Sequence, residues 1–457
     1  MSFMPVILWT DALIFLLIAV GLGSAWWIRR QPHLLLPWRR VAQSRVGMVS
    51  LLLLSLFVSI GVLDSLHYRA ALPEQNSGQA VYSPEVLSVF DHLVTGLRTH
   101  TEKTYSAPLA VYLYARESIE LPDGKVVRDY PRLKYGGVQL ADPERDWLSD
   151  VTKRALLGAA GGLLTVLLLA GIAVRLFPAV RKSKPLAAVF VAALLIAAAI
   201  GAVSGLAAAY HVLGTDKVGQ DVLYLSLKSI RTGLVIGTVT TLVMLPFALL
   251  LGVAAGYFRG WVDDVIQYVY TVLSSIPSVL LIAAAVLMMQ VVIEMHADWF
   301  ETSAARADVR LLCLCLILGV TSWTGLCRLL RGETLKLREM EYIQAAQAFG
   351  VSSFRILTRH IVPNVMHIVL ISVVMDFSAL VLAEAVLSYI GVGVDPTTNS
   401  FGNMINAARL EMGREPMVWW SLASAFGFML VLVLAANLFA DAVRDAFDPR
   451  LNRTDNA

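Results

Sequence analysis

Residues 341–363 read Glu341-Tyr342-Ile343-Gln344-Ala345-Ala346-Gln347-Ala348-Phe349-Gly350-Val351-Ser352-Ser353-Phe354-Arg355-Ile356-Leu357-Thr358-Arg359-His360-Ile361-Val362-Pro363, and they lie between two long apolar runs. Tyr342, Ala345, Ala346 and Phe349 stand at i, i+3, i+4 and i+7, which predicts one apolar stripe on a short helix. Gly350 falls where a helix can end in a left-handed residue, and Ser352 or Ser353 is placed to cap the next one. That second helix carries Phe354, Leu357 and Ile361 on one side, with Arg355 and Arg359 among its polar positions. Pro363 marks the join with the following apolar run, where a kink or a fresh helix start is expected. The spacing therefore predicts a compact helical elbow with a small-residue face, held just outside a bilayer and shaped to enter a groove on a partner. A juxtamembrane amphipathic helix, packed on its own protein or on lipid headgroups, has the same spacing.

The rest of the chain explains why a bilayer enters the argument. Its 457 residues are 57% hydrophobic and only 16% charged, with a mean hydropathy of +0.67; soluble domains carry about a quarter charged residues. A formal charge of +3, from 37 Lys+Arg against 34 Asp+Glu, is too balanced to suggest a nucleic-acid partner. A spanning helix needs roughly 20 mainly apolar residues. Nine stretches qualify, near 6–28, 46–64, 155–177, 186–210, 233–257, 265–292, 310–328, 363–390 and 417–439. The first lacks a basic n-region and is followed by Trp26, Trp27, Arg29 and Arg30, so it reads as a retained helix with its N-terminus outside. Asp11 is expected near the outer interface. The positive-inside rule agrees, with Arg29, Arg30, Arg39, Arg40 and Arg45, then Arg175, Arg181, Lys182 and Lys184, then Arg328, Arg331, Lys336, Arg338, Arg355 and Arg359 on inner loops, and Arg444, Arg450 and Arg453 after the last span. Lys217, Lys228 and Arg231 are the exceptions. Cys313, Cys315 and Cys327 all fall in one apolar span and read as small apolar helix residues.

These counts divide the chain into 1–64 with two spans, a polar domain at 65–152, two additional spans at 153–210, a core at 211–451 whose inner loop is 329–362, and a cytoplasmic tail at 452–457. The polar domain carries Pro73, Pro84, Pro108, Pro122, Pro131 and Pro143. Ala110–Arg116 reads as a strand, 121–127 as a turn into another, and Ser83-Pro84-Glu85 as a helix start, giving a small α+β extracytoplasmic insertion. It reads equally as a docking surface for a soluble partner or as a passive insertion.

Several blocks resemble one family. Ala345, Ala346, Gly350, Ile361 and Pro363 match the EAA loop of ABC importer permeases, the segment that contacts the ATP-hydrolysing subunits. Gln344 replaces that loop's Glu and removes a negative charge, with Glu341, one turn earlier, read as a partial substitute. His211-Val212-Leu213-Gly214-Thr215-Asp216-Lys217-Val218-Gly219-Gln220-Asp221 resembles the outer-loop signature of the C-type permeases for dipeptides, oligopeptides and nickel, with Gln220 where Arg is usual. Gly256-Tyr257-Phe258-Arg259-Gly260-Trp261-Val262-Asp263-Asp264, Ser275-Ile276-Pro277-Ser278, the block from Glu384 to Val394 with Phe401-Gly402-Asn403-Met404, and the tail from Asp441 to Leu451 follow in family order. The resemblance covers roughly 36–64 and 211–451, and it says nothing of the first helix, the polar domain or the two additional spans.

It implies an all-α polytopic membrane protein of about nine transmembrane helices with the type I ABC importer transmembrane fold, in the bacterial cytoplasmic (inner) membrane. It implies a second homologous permease, two ATP-binding subunits and an extracytoplasmic substrate-binding protein as partners, besides membrane lipid. ATP and Mg would be bound by those partners and no cofactor by this chain, in which no Gly-x-x-x-x-Gly-Lys-Ser/Thr loop occurs. The coupling residues carried over are Glu341, Tyr342, Gln344, Ala345, Ala346, Phe349, Gly350, Arg355 and Pro363. In the outer loop they are Gly214, Thr215, Asp216, Gly219 and Asp221. Pro277, Asp376 and Glu384 are candidates for the pathway, because ionisable or proline positions inside a span are costly and need a reason. No metal or catalytic constellation is expected; His360 and His367, seven apart, read as interfacial helix residues. Two readings of other classes stay open at this point: an ion-coupled transporter using Asp376 and Glu384, and a membrane sensor with a ligand-binding polar domain.

Overall fold

Backbone amides in hydrocarbon can bond only within their own segment, so apolar runs of this length become helices. The computed structural model describes residues 3–30, 32–72, 82–120, 126–176 and 184–447. Among them, nine helical stretches are long and apolar enough to cross a membrane, in the order expected. The turn at 121–125, Pro73, Pro122, Arg181, Lys182, the end of the C-terminal block (Asp448 to Leu451) and the 452–457 tail lie outside the described residues.

The chain forms two compact units. The first gathers Leu35–Thr232 with Asn399–Ala442 and the first strand. After α2 (Pro32–Val41), helix α3 (Arg45–Asp64) ends at the strands β2 (His67–Ala70) and β3 (Leu87–Ser88), which with β1 (Phe3–Val6) make an antiparallel sheet in the order β1-β2-β3. Phe3 stands opposite Ala70, and His67 opposite Ser88. Short helices α4 (Val89–Leu93) and α5 (Thr95–Thr99) follow, then a hairpin of β4 (Glu117–Glu120) and β5 (Val126–Asp129). Two long helices, α6 (Pro143–Leu176) and α7 (Lys184–Ala207), form an antiparallel pair. Their approach needs glycine: a Cβ on Gly158 would stand 2.2 Å from the Gly201 carbonyl oxygen, and one on Gly162 2.0 Å from that of Ala197. Small residues at such crossings are the usual means of bringing membrane helices together.

The polar domain differs from its sequence reading in two places. Ala110–Arg116 is not a strand; its one ladder contact is the isolated bridge of Tyr112 to Arg132. Its amides are divided between two segments, Leu113 N donating to Pro131 O at 2.8 Å and Tyr114 N to Tyr105 O at 3.0 Å. The helix starts at Ser88, not Ser83. The Ser88 hydroxyl accepts from Asp91 N while Asp91 accepts from Ser88 N, a capping box, whereas the Ser83 hydroxyl only holds a turn by accepting from Glu85 N at 3.2 Å.

The second unit gathers Gly233–Thr398 and the N-terminal helix α1 (Trp9–Ile28). Helix α8 (Val222–Phe258) enters it at Gly233, followed by α9 (Gly260–Ser275), α10 (Ser278–Met295), α11 (Ser303–Ser322) and α12 (Thr324–Arg338). Pro277 separates α9 from α10, so the sixth span is interrupted where the proline removes an amide donor. Gly252 and Gly256 admit α12: a Cβ on Gly256 would lie 2.8 Å from the Arg331 carbonyl oxygen. Asp11, in the first turn of α1, is fully buried and accepts from Leu8 N at 3.4 Å. Beside it, the Thr10 hydroxyl donates to Asp308. Cys315 and Cys327 are buried and Cys313 is partly so, all three as free thiols.

Candidate functional site

The elbow is built as two short helices and a left-handed turn. α13 (Glu341–Ala348) is capped at Phe349, and Gly350 takes φ +75° with open space around its Cα. Ser352 occupies the next cap position without a side-chain cap bond, and α14 (Ser353–Ile356) follows. A π turn over Leu357–Ile361 then leads directly into α15 (Val362–Ile390), so the second arm of the elbow is continuous with a span. Pro363 has no N–H to donate, and the ladder widens immediately before it, with Val362 N bonding Leu357 O.

This widening changes which residues face inward. Ile343, Ile356 and Ile361 are fully buried in a cluster with Tyr257, Ile266, Leu326 and Leu330. Phe354, read on one side with Leu357 and Ile361, is 76% exposed, and Phe349 is 87% exposed. Tyr342 is also exposed, its ring 6.1 Å from His360. Glu341, Gln344, Ala345, Arg355 and Arg359 are exposed as well, while Ala346 packs on the cluster. Three isoleucines therefore anchor the elbow to its own helices, while two phenylalanines project from it.

Two ion pairs missed at the sequence level support it. Arg331 of α12 makes a bidentate contact with Asp263 of α9 at 2.6 and 2.7 Å. The Arg331 hydrogen bonds hold the Asp263 carboxyl below the usual carboxylate range. Arg259 pairs with Glu339 at 2.5 Å, and Gln344 Nε2 lies 3.4 Å from Glu339 Oε2. Glu339 is thus a carboxylate beside Gln344. Arg259 and Asp263 both belong to the quoted block after Gly256, so the block was visible but its pairing was not.

The 211–221 loop is built just as tightly, in the first unit. The Thr215 hydroxyl donates to Thr104 O at 2.8 Å and accepts from Ser106 N at 2.7 Å. Trp420, which opens α17 (Trp420–Phe447) after α16 (Phe401–Glu411), donates its indole N–H to Thr215 O at 2.9 Å. Gly214 and Gly219 have φ of +73° and +77°, and a Cβ on Gly219 would fall 1.9 Å from Glu102 O. Asp216 Oδ1 accepts from Val218 N and Gln220 N, and Asp221 Oδ1 caps α8 through Leu223 N at 2.8 Å. Buried His211 lies 2.7 Å from Asp221 and 3.4 Å from Glu102. Burial works against its charge, but these two carboxylates outweigh it and push the imidazole up to about 9. The insertion is therefore locked to the signature loop through main-chain and buried ionic contacts.

Two of the three positive exceptions, Lys228 and Arg231, have the same explanation. Lys228 Nζ sits 2.5 Å from Asp64 and 3.1 Å from Asp91, and buried Arg231 donates to the Ser65 hydroxyl at 3.2 Å. On α15 the two carboxylates are not brought together. Glu384 is buried and accepts from the Ser388 hydroxyl at 2.6 Å, whereas Asp376 is half-buried two turns earlier. Among the described residues no group of three His, Cys, Asp or Glu could hold a metal ion.

Residues 248–453 match the family model described as binding-protein-dependent transport system inner membrane component. The oligopeptide transport system permease protein OppC of Mycobacterium tuberculosis (strain ATCC 25618 / H37Rv) is 34% identical over 239 residues, covering 52% of this chain and 76% of that protein. The glutathione transport system permease protein GsiD of Pectobacterium atrosepticum is 32% identical, covering 53% and 73%. The dipeptide transport system permease protein DppC of Bacillus subtilis is 28% identical, covering 53% and 70%. A solved structure of the MetNI methionine ABC transporter, inward facing, aligns with 50% of this chain and 98% of its own at 15% identity and a TM-score of 0.38.

Proposed function

We propose, from the premise that this chain belongs to the family of binding-protein-dependent transport system inner membrane components, that it is one permease half of an ATP-driven importer for peptides. Its partners are a second permease, two ATP-binding subunits that bind ATP and Mg, and an extracytoplasmic substrate-binding protein. ATP hydrolysis belongs to those subunits and not to this chain. The chain lies in the inner membrane with its N-terminus outside, which puts the elbow and the C-terminus in the cytoplasm and the 65–152 domain outside.

One observation carries the reading. The elbow is rigid toward its own helices and apolar toward solvent, with Phe349 and Phe354 projecting from a base of fully buried isoleucines. Exposed aromatic side chains on a fixed base are what helix-in-groove docking requires. Closure of an ATP-bound dimer would push on this joint, and because α14 runs through the π turn into α15, the push would reach a span without a loose hinge. The test is co-purification of the tagged chain from gently solubilised membranes, with ATPase assay. Wild type should retain ATP-binding subunits, and Phe349→Ser with Phe354→Ser should lose them at least tenfold while inserting normally. Equal recovery from both would overturn the coupling role. Recovery of wild type without any ATPase would overturn the importer assignment.

A further inference from the structure

At the far end of the second unit from the elbow, α10, α11 and the segment after α15 enclose a cavity of about 290 Å³ that the coupling mechanism does not use. α15 has 29 residues, so roughly 40 Å separates the two ends at 1.5 Å per residue. Gln290, Glu294, Arg306, Arg310, Asp395 and Thr397 line the cavity.

The polar groups there do not cancel. Arg310 pairs with Asp395 at 3.3 Å, and Asp395 also accepts from Thr397 N at 2.9 Å and from its hydroxyl at 2.6 Å. Burial pushes the Asp395 carboxyl up, but those Thr397 bonds and the Arg310 charge outweigh it and hold the group below the usual range. Asp395 is thus occupied and charged. Arg310 Nε and Gln290 Nε2 are both buried with no hydrogen-bond partner. Arg306, one turn before Arg310 on α11 and therefore on the same face, is exposed and makes no ion pair among the described residues. Two unmet buried donors border the same space as the Arg306 guanidinium, whose charge reaches Asp395 without a direct ion pair. Buried donors left unpaired are costly, and an anionic acceptor would satisfy them. Glu294, exposed at the rim, adds a negative group that disfavours a simple anion and suits a ligand with an ammonium group as well. The volume is at the small end for ligand pockets, about 300 Å³ upward, so it holds one or two residues and not a whole oligopeptide.

We propose that this cavity is a recognition site for the carboxylate end of a short peptide, held by Arg306 with Arg310 Nε and Gln290. The proposal rests on the peptide-importer reading and places a substrate contact on this chain, on the side away from the ATP-binding subunits.

The test uses the full-length chain in phosphatidylcholine nanodiscs, with binding of trialanine and of C-terminally amidated trialanine measured by calorimetry. The free acid should bind at least tenfold more tightly than the amide. Arg306→Ala should remove that preference, Arg306→Lys should keep part of it, and Gln290→Leu should weaken the acid more than the amide. Arg306 is exposed, so its substitution leaves the packing intact. Equal binding of acid and amide, an unchanged preference in Arg306→Ala, or displacement of trialanine by an equal concentration of inorganic phosphate would each overturn the site. The two readings fail separately. A chain that retains its ATPases but binds acid and amide alike sinks only the site, whereas acid-selective binding without any co-purifying ATPase sinks only the importer.

Discussion

A methyl group at Gly219 would fall 1.9 Å from the Glu102 carbonyl oxygen, on backbone already at φ +77°. Both terms oppose substitution, the left-handed backbone alone costing about 1–2 kcal/mol. Gly219→Ala should therefore lower the melting temperature of the purified chain by several degrees. Gly350→Ala meets open space and carries only the backbone term, so its effect on melting should be clearly smaller. Gly350→Asp should insert normally but uncouple ATP hydrolysis from uptake, and normal uptake by that variant would count against the elbow. His211 gives a pH prediction. Its pKa is raised from 6.5 to about 9, so its contribution, about 3 kcal/mol, is complete below pH 6.5 and is lost as pH rises through 9. Thermal melts should show this alkaline loss, and His211→Gln should flatten it. A profile unchanged by the substitution would show that the charge is not shared with Asp221 and Glu102. The signature residues were legible in the sequence as a block. Their reason was not, because Glu102 and Ser106 stand more than a hundred positions before the glycines and threonine they meet.

At the scale of elements, the elbow shows where periodicity stops being a guide. Counting at 3.6 residues per turn puts Phe354, Leu357 and Ile361 on one face, but the buried pair is Ile356 and Ile361, five apart. That is the spacing of the π turn over Leu357–Ile361, and a turn of that kind has no signature in apolar spacing. Pro363 was read as a join and is one, although its effect lies upstream of it. The Asp263–Arg331 pair beneath the elbow was equally hidden, since 68 residues separate its partners. Removing one side leaves a largely buried charge, which costs about 3 kcal/mol. Arg331→Met should therefore raise hydrogen–deuterium exchange across 341–356 while leaving β1 and β2, in the other unit, unchanged. Protection equal to wild type in the elbow would mean that the isoleucine cluster alone fixes it.

For the molecule as a whole, span count and order were readable because hydrocarbon permits so few backbone solutions. The standing of the polar domain was not, since composition cannot tell a bolted insertion from an appended one. The structure ties that domain to the signature loop and to α8, where Glu102 faces His211 and Asp91 faces Lys228. Excising 82–142 would leave His211 without Glu102 and Lys228 without Asp91, both buried or nearly so. Each cation would keep one carboxylate, Asp221 for His211 and Asp64 for Lys228, but losing the second costs about 1–3 kcal/mol apiece, a large share of a typical domain stability of about 5–15 kcal/mol. The excised chain should accumulate poorly in membranes and melt well below wild type. Shortening only the exposed β4–β5 hairpin, whose second strand is solvent-facing throughout, should leave both properties intact. A further version of the large excision, carrying His211→Phe and Lys228→Met, separates charge from packing. If it recovers accumulation, the domain's principal task in folding is to neutralise the permease's own outer cations; if it does not, the main-chain contacts of Ser106 and Glu102 with the loop are what the core cannot lose.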